Sequence, residues 1–157
     1  MTEATALVKQ FPPDLSADII LGDSIFGNIS FNGLQACGVL RSYAPNLTGV
    51  ASDSLYQITG LDIEHSPALQ TLTFPNLTGE SDPISLYLTA LPLLTKFEFN
   101  ARLTLPWVVG INGTGLKSFN ASLPASSYSG FDYNFDFSIK QNKDMSQIYL
   151  GLERIRS

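Results

Sequence analysis

A repeated spacing of apolar residues constrains the fold of this chain more than any other feature. The pattern Pro67-x-Leu69-x-x-Leu72-x-Phe74 recurs 25 residues later as Pro92-x-Leu94-x-x-Phe97-x-Phe99. A weaker third copy, Leu116-x-x-Phe119, follows 22 residues further on. A unit of this length is too small to bury its own apolar face, so such repeats predict stacked units that share one core.

Strict alternation of apolar and polar residues accompanies the repeat, and it places each apolar set on one face of a strand. The alternating apolar positions are Leu61, Ile63, Leu72, Phe74, Leu86, Leu88, Phe97, Phe99, Phe131, Tyr133, Phe135 and Phe137. The sequence therefore predicts a mainly β protein with little helix, a parallel β-solenoid in which Leu69 stacks on Leu94 and Leu72 on Phe97. A β-sandwich is the alternative, because it also suits strands spaced about 8–12 residues apart.

The solenoid is expected to occupy residues 25–157 as a single domain, which we expect to be part of a longer protein. Residues 1–24 are expected to form an irregular lead-in, in which Ile19-Ile20-Leu21 is either a short helix or a first strand. Residues 33–44 are a weak candidate for a short helix. Gly110–Gly115 lacks the glycine spacing and the lysine of a phosphate loop, and it is interpreted as a turn.

Composition excludes several classes of protein. The net charge is −5 over 157 residues, and an acidic chain without a basic patch is not expected to bind nucleic acid. The sequence contains no run of 18 apolar residues, so it predicts no transmembrane helix. Neither a secretory signal at the start nor a lipid-anchor signal at the end is recognisable. One cysteine, Cys37, and one histidine, His65, do not make a zinc cluster.

Glycosylation sequons are more frequent than chance predicts. Random placement of the Asn, Ser and Thr residues gives roughly two Asn-x-Ser/Thr triplets, whereas five are present. Their asparagines are Asn28, Asn46, Asn76, Asn112 and Asn120. Asn46 and Asn76 share the context Pro-Asn-Leu-Thr-Gly, and Asn112 precedes Gly113. We expect these three in exposed turns, where a glycan does not displace core. The alternative is that Asn and Thr are frequent simply because they favour turns.

Three segments carry a resemblance to a known family: Ile58–Ile63, Ser66–Thr78 and Leu91–Phe99. They resemble the repeats of fungal GPI-anchored cell-wall organisation proteins, and the resemblance covers roughly residues 25–123. Those proteins are similar to receptor L-domains, which are leucine-rich, right-handed parallel β-solenoids. The resemblance implies a secreted, N-glycosylated, non-catalytic protein of the cell surface, with wall polysaccharide or wall proteins as partners and no cofactor.

The chain departs from that family in its cysteines and its length. Members have an early cysteine that pairs with the cysteine matched by Cys37, and this chain has no such early cysteine. They are also longer, with a signal peptide and a Ser/Thr-rich tail before the anchor. The resemblance therefore implies a partial or shortened member. Cys37 lies among apolar residues, so it is either a small buried hydrophobe, the default for a free cysteine, or half of a disulfide whose other half lies upstream.

Asp62 and Glu64 are the best candidates for a catalytic pair. At positions i and i+2 of a strand they lie about 7 Å apart, at the low end of the 6.5–9.5 Å separation in inverting glycosidases. A polysaccharide-active β-solenoid enzyme is therefore one alternative function. However, both residues are expected to face solvent, because Leu61 and Ile63 face inward. A solvated carboxylate is ionised at neutral pH and does not serve as a general acid, so we assign no catalytic residue.

Two further segments resemble a catalytic and a calcium-binding motif, but each lacks an essential part of that motif. His65 is expected at the surface, at the end of the strand that carries Asp62, and no Gly-x-Ser-x-Gly elbow accompanies it. Asp132–Phe137 alternates acidic or amide residues with aromatic ones, but a calcium loop requires Gly at its sixth position, where Phe137 stands. Its aromatic face is expected to join the core or cover the end of the solenoid, or else to bind carbohydrate. A carbohydrate- or protein-binding module that uses an exposed solenoid face is thus the second candidate function.

Overall fold

The computed structural model describes residues 7–10, 12–15, 17–77, 85–99, 108–124 and 136–153. These residues form fourteen strands and no helix. The strands are β1 Leu7–Gln10, β2 Asp14–Leu15, β3 Ile19–Leu21, β4 Phe26–Asn32, β5 Ala36–Ser42, β6 Asn46–Ala51, β7 Gln57–Glu64, β8 Thr71–Phe74, β9 Ser85–Leu91, β10 Lys96–Phe99, β11 Val108–Thr114, β12 Ser118–Pro124, β13 Asp136–Lys140 and β14 Gln147–Glu153.

Successive strands alternate between two parallel sheets. Among the described residues, one sheet has five strands in the order β1-β4-β6-β8-β10. The other has seven, in the order β13-β11-β9-β7-β5-β2, with β3 also paired to β5. A third sheet contains β12 and β14. Every pairing among the described residues is parallel, and from β4 to β11 each coil adds one strand to each of the two large sheets, which makes the fold a β-solenoid. The β-sandwich alternative is wrong for this part of the chain, because the sheets of a β-sandwich are antiparallel.

The register between coils confirms the stacking predicted from the 25-residue repeat. Leu72 of β8 lies directly opposite Phe97 of β10. Leu69 and Leu94 are both completely buried, and they occupy equivalent turns. In these turns Leu69 N–H donates to the carbonyl of Ser66 at 3.0 Å, and Leu94 N–H donates to that of Leu91 at the same distance.

The core consists of columns of apolar side chains that run from coil to coil. One column contains Leu40, Leu61, Leu86 and Val109, which are in register on four neighbouring strands of the seven-stranded sheet and are 3% exposed or less. The predicted inward positions Leu61, Ile63, Leu72, Phe74, Leu86 and Leu88 are all buried. Phe97 and Phe99 are only partly buried, because β10 is the last strand of its sheet.

Three local predictions from the sequence differ from the structure. The stretch 1–24, expected to be an irregular lead-in, supplies β1, β2 and β3, and of the two alternatives predicted for Ile19-Ile20-Leu21 the strand is the one observed. The candidate helix at 33–44 is wrong, because β5 occupies most of it. The predicted turn at Gly110–Gly115 is also wrong, because its first five residues belong to β11. In each case backbone pairing with neighbouring coils overrides the local preference of the sequence.

One corner of the solenoid repeats a left-handed backbone conformation in four successive coils. Glu64, Thr89, Asn112 and Lys140 are in register, and the residue after each one has a positive φ. These residues are His65 (50°), Ala90 (56°), Gly113 (65°) and Gln141 (55°). Only one is a glycine, although a side chain in this conformation costs about 1–2 kcal/mol. The sharp corner is therefore imposed by the stacked coils rather than by glycine at each turn.

We predict that Leu72→Ala lowers the free energy of unfolding by about 2–5 kcal/mol, because it leaves a cavity in a completely buried column. Leu93→Ala is the matched control, since Leu93 lies one coil further on with 52% of its surface exposed. It should change stability by less than about 0.5 kcal/mol. Urea titration followed by circular dichroism measures both. Equal stability of the two variants would contradict the assignment of Leu72 to the core.

Candidate functional site: the outer face of the seven-stranded sheet

The outward side chains of the seven-stranded sheet form two rows that cross the strands. We call this surface the outer face. The first row runs in register through Arg41, Asp62, Tyr87 and Gly110. The second row runs through Glu64, Thr89, Asn112 and Lys140. Because neighbouring parallel strands lie about 4.8 Å apart, the residues of each row stand beside their counterparts in the adjacent coils.

Arg41 neutralises two carboxylates on the outer face. Its Nη1 lies 3.0 Å from Oδ2 of Asp18, and its Nε lies 3.7 Å from Oδ2 of Asp62. The other oxygen of Asp18 accepts a hydrogen bond of 2.9 Å from the backbone N–H of Val39. The three charged side chains keep between 25% and 40% of their surface exposed, so their attraction is screened by solvent. Their main effect is to hold Asp62 in place between two coils.

Tyr87 lies across the neighbouring strand. A side chain on Gly110 would place its Cβ 2.9 Å from Cδ1 of Tyr87 and 3.3 Å from Cε1, so the tyrosine ring occupies the space above that glycine. Tyr87 is nevertheless 38% exposed. The missing side chain at Gly110 thus allows an aromatic ring to lie on the sheet and present part of its surface to solvent.

Two hydrogen-bond acceptors on the outer face are buried without a donor among the described residues. They are Oδ1 of Asp62, in register with Tyr87, and Oδ1 of Asn112, in the adjacent row. Buried polar atoms are usually hydrogen-bonded, so these two oxygens are exceptions. They are enclosed by their neighbours, so a ligand on the outer face would contact the half-exposed ring of Tyr87 rather than these two atoms.

The candidate catalytic pair lies on this surface. Asp62 and Glu64 are both half-buried, on an open sheet, and Asp62 is held by Arg41. They are less solvated than the sequence predicted, because the neighbouring rows cover part of each side chain.

His65 is exposed directly after β7, as predicted. No group of three metal-binding side chains occurs in the described part of the chain. Of the aromatic and acidic segment Asp132–Phe137, the first four residues lie outside the described residues.

The five sequons differ in their environments. Asn28 and Asn46 are exposed on β4 and β6 of the five-stranded sheet, and Asn120 is exposed on β12. Asn76 is exposed in a turn after β8, as predicted. Asn46 is also exposed, but it begins a strand rather than following one. The expected exposed turn at Asn112 is wrong, because that residue is half-buried in β11 with neighbouring strands on both sides.

Hydrogen bonds distinguish the exposed asparagines further. The amide nitrogen of Asn76, to which a glycan would be attached, donates a 2.6 Å hydrogen bond to the carbonyl of Asp53 in the preceding coil. In contrast, Asn28 is engaged through its oxygen, which accepts a 2.9 Å hydrogen bond from the hydroxyl of Thr48. Glycan attachment is therefore compatible with the folded contacts of Asn28, whereas at Asn76 it removes one hydrogen from a bonded amide.

Cys37 is buried on the inner side of β5 with 6% of its surface exposed, and it is a free thiol. Burial raises the pKa of its thiol to about 11, and the Asp18 carboxylate contributes in the same direction. Its burial agrees with the interpretation of Cys37 as a small buried hydrophobe, and the alternative of a disulfide with an upstream cysteine stays a prediction. A protonated thiol in the core is a poor nucleophile, so Cys37 does not belong to the candidate site.

Sequence reasoning missed Arg41, Tyr87 and Gly110. The available signal was the tyrosine between Leu86 and Leu88, which alternation places on the outer side. That Tyr87 covers Gly110 depends on the register of two strands more than twenty residues apart, which alternation within one strand does not reveal.

Comparisons with known proteins add no relative. No protein-family model, no curated protein and no solved structure matches the chain. Within its described residues, no helix is long and apolar enough to span a lipid bilayer.

We predict that Asn28, Asn46 and Asn120 are glycosylated when the chain is secreted from a fungal host with an added signal peptide, and that Asn112 is not. Enzymatic removal of the glycans in heavy-oxygen water converts each modified asparagine to a labelled aspartate. Peptide mass spectrometry then identifies the sites. Labelling of Asn112 on a folded, secreted protein would contradict the placement of this residue within a central strand.

We also predict slow reaction of Cys37 with a disulfide reagent at pH 8 in the folded protein, and fast reaction in urea. Its folded pKa of about 11 exceeds the ordinary value of 9.0. Folding therefore favours the protonated thiol, and the resulting contribution to stability is complete below pH 9 and lost as the pH rises towards 11. Urea midpoints at pH 8 and pH 11 measure this loss against Cys37→Ala. An equal pH dependence in that variant would refute the assignment.

Proposed function

We propose that this protein is a non-enzymatic glycoprotein of the fungal cell surface that contributes to wall organisation by binding wall polysaccharide through its outer face. One observation carries the binding proposal: the ring of Tyr87 lies over Gly110 and remains partly exposed beside the partly exposed carboxylate of Asp62. A sugar ring has apolar C–H faces that stack on aromatic rings, and hydroxyl groups that donate to exposed carboxylate oxygens.

The shape of the surface supports a polymeric ligand. Parallel strands of successive coils form a continuous sheet, so the two outward rows extend across several strands without an enclosing wall. An extended polysaccharide can lie along such a surface and contact several coils at once. Many weak contacts then add through a single chain, which raises the overall affinity without a deep pocket.

The distribution of sequons also supports this surface as the binding side. The exposed asparagines Asn28 and Asn46 lie on the five-stranded sheet, which faces away from the outer face across the core. The one sequon asparagine among the outer-face rows, Asn112, is half-buried. Glycans attached at the exposed sites would leave the polar rows around Tyr87 uncovered. This arrangement matches a glycoprotein in the extracellular location that the family resemblance implies.

A non-catalytic role agrees with the chemistry of the carboxylates. A glycosidase needs one protonated and one ionised carboxyl group on opposite sides of the bond that it cleaves. Asp62 and Glu64 stand on the same face of one open sheet, and Asp62 forms an ion pair with Arg41. The pair is therefore suited to hydrogen bonding with a ligand rather than to general acid catalysis.

A sedimentation assay with insoluble β-1,3-glucan and chitin tests the binding proposal. Tyr87→Ala should reduce affinity by about tenfold, as expected for an aromatic contact worth more than 1 kcal/mol. Gly110→Ala should have a similar effect by displacing the ring. Tyr149→Ala is the control, because Tyr149 is also an exposed tyrosine (57%), on β14 of the separate sheet. Equal binding by all three variants would exclude the outer face.

Release of reducing sugars from the same polysaccharides tests the non-enzymatic role. The wild-type protein should release none above the level of a heat-denatured sample. The double change Asp62→Asn and Glu64→Gln should have no effect on that baseline. Hydrolysis by the wild type that the double variant abolishes would establish the alternative, a polysaccharide-active solenoid enzyme.

A further inference from the structure

Two sequon asparagines have an exposed aromatic residue directly beside them. Asn46 of β6 is in register with Phe26 of β4, and Asn120 of β12 is in register with Tyr149 of β14. Phe26 and Tyr149 expose 70% and 57% of their surface, more than any other aromatic side chain in the described part of the chain. The same pairing of a sequon with an aromatic ring thus occurs on two separate sheets.

The parallel register places both members of each pair on the same side of their sheet. Residues in register on neighbouring parallel strands lie about 4.8 Å apart, and their side chains project in the same direction. The buried neighbours show which side that is. Leu47, which follows Asn46, is completely buried, and Phe119, which precedes Asn120, is 3% exposed. Each sequon asparagine therefore points away from the core, with an aromatic ring beside it.

A glycan on either asparagine would begin beside that ring. In N-glycosylation, Nδ2 of the asparagine bonds to C1 of N-acetylglucosamine, the amide loses one hydrogen, and the lipid diphosphate of the oligosaccharide donor leaves. The sugar has a face of apolar C–H groups that packs on aromatic rings. Because the sugar is covalently attached, the contact is intramolecular and benefits from a high effective concentration. A contact too weak to hold a free sugar therefore suffices here.

Asn28 is the competing site beside Phe26, since it lies two residues further along the outward side of β4. Its carboxamide is drawn towards β6, because Oδ1 accepts a 2.9 Å hydrogen bond from Thr48 and lies 2.6 Å from where a Cβ on Gly49 would stand. Its neighbour in register is Gly49, which has no ring. Asn46 is therefore the site whose glycan begins next to Phe26.

We propose that Phe26 and Tyr149 are stacking platforms for the first N-acetylglucosamine of the glycans attached at Asn46 and Asn120. The sugar covers the exposed ring, and the ring holds the sugar against the sheet. Each contact joins two neighbouring strands that are not consecutive in sequence, so it stabilises the stack of coils. This inference rests on the proposed glycoprotein, but it concerns sugars carried by the chain itself rather than wall polysaccharide bound at the outer face.

Double-mutant cycles on the secreted glycoprotein test the two platforms. An endoglycosidase first trims each glycan to a single N-acetylglucosamine, and Asn46→Gln removes that sugar. We expect Asn46→Gln to increase the unfolding equilibrium constant about fivefold more in the wild-type background than in Phe26→Ala, because only the wild type loses a sugar–ring contact. Urea titration measures this constant. Asn120→Gln should show the same dependence on Tyr149.

Crossed pairs supply the matched controls. Phe26→Ala with Asn120→Gln, and Tyr149→Ala with Asn46→Gln, should be additive within about twofold, because the ring and the sugar then lie on different sheets. All pairs should also be additive in protein from a host without N-glycosylation. In the wild-type glycoprotein, nuclear Overhauser contacts should join the ring protons of Phe26 and Tyr149 to C–H protons of the neighbouring sugar, a measurement that needs no variant.

The outcomes separate this proposal from the glycoprotein proposal. Sugars present at Asn46 and Asn120 with additive effects, or without ring–sugar contacts, would overturn the platforms and leave the glycoprotein intact. Coupling that persists without the sugar, or coupling of Phe26 to Asn28 instead of Asn46, would also overturn the assignment. Peptide mass spectrometry that finds a folded, secreted protein unmodified at Asn46 and Asn120 would overturn it too, and with Asn28 also unmodified the glycoprotein proposal fails as well.

Discussion

Each coil of this protein depends on its neighbours for both backbone pairing and apolar burial. A single coil supplies one short strand to each sheet, so it has unpaired backbone groups on both edges and apolar side chains open above and below. Stacking a parallel coil in register satisfies both needs at once. The column through Leu40, Leu61, Leu86 and Val109 shows the result, since side chains that are neighbours in space are more than twenty residues apart in sequence. Stability is consequently a property of the stack.

This dependence explains which parts of the fold were predictable. Inward positions follow from period-two alternation, and the register of Leu72 with Phe97 follows from the 25-residue repeat. Both follow from the burial of apolar side chains in the core, which makes the largest favourable contribution to the free energy of folding. Local signals were less reliable. Asn112-Gly113 has the composition of a turn, yet Asn112 pairs with neighbours on both sides in β11. The sharp corner comes one residue later in each coil, where His65 and Ala90 adopt it without being glycines.

The candidate site was less predictable than the fold because it lies on the outer rows, where packing imposes little on residue type. Asp62 and Glu64 were identified as a pair from their spacing, but their main neighbours come from other coils. Arg41 reaches Asp62 from one adjacent strand, and Tyr87 lies opposite it on the next. A single sequence does not reveal such lateral neighbours unless the register is already known. The two outward rows could therefore be identified only when the pairing of the strands was known.

The parallel register also limits how charge can be arranged on the outer face. Identical charges in register would repel across about 4.8 Å, and the cost would recur at every coil. The structure avoids this by placing Arg41 between Asp18 and Asp62, and the second row holds a single acid, Glu64, and a single base, Lys140, with the uncharged Thr89 and Asn112 between them. Charges compensated in this way contribute little long-range attraction for a ligand of either sign. Recognition on this surface must then depend on short-range contacts, for which the partly exposed ring of Tyr87 is the main group available.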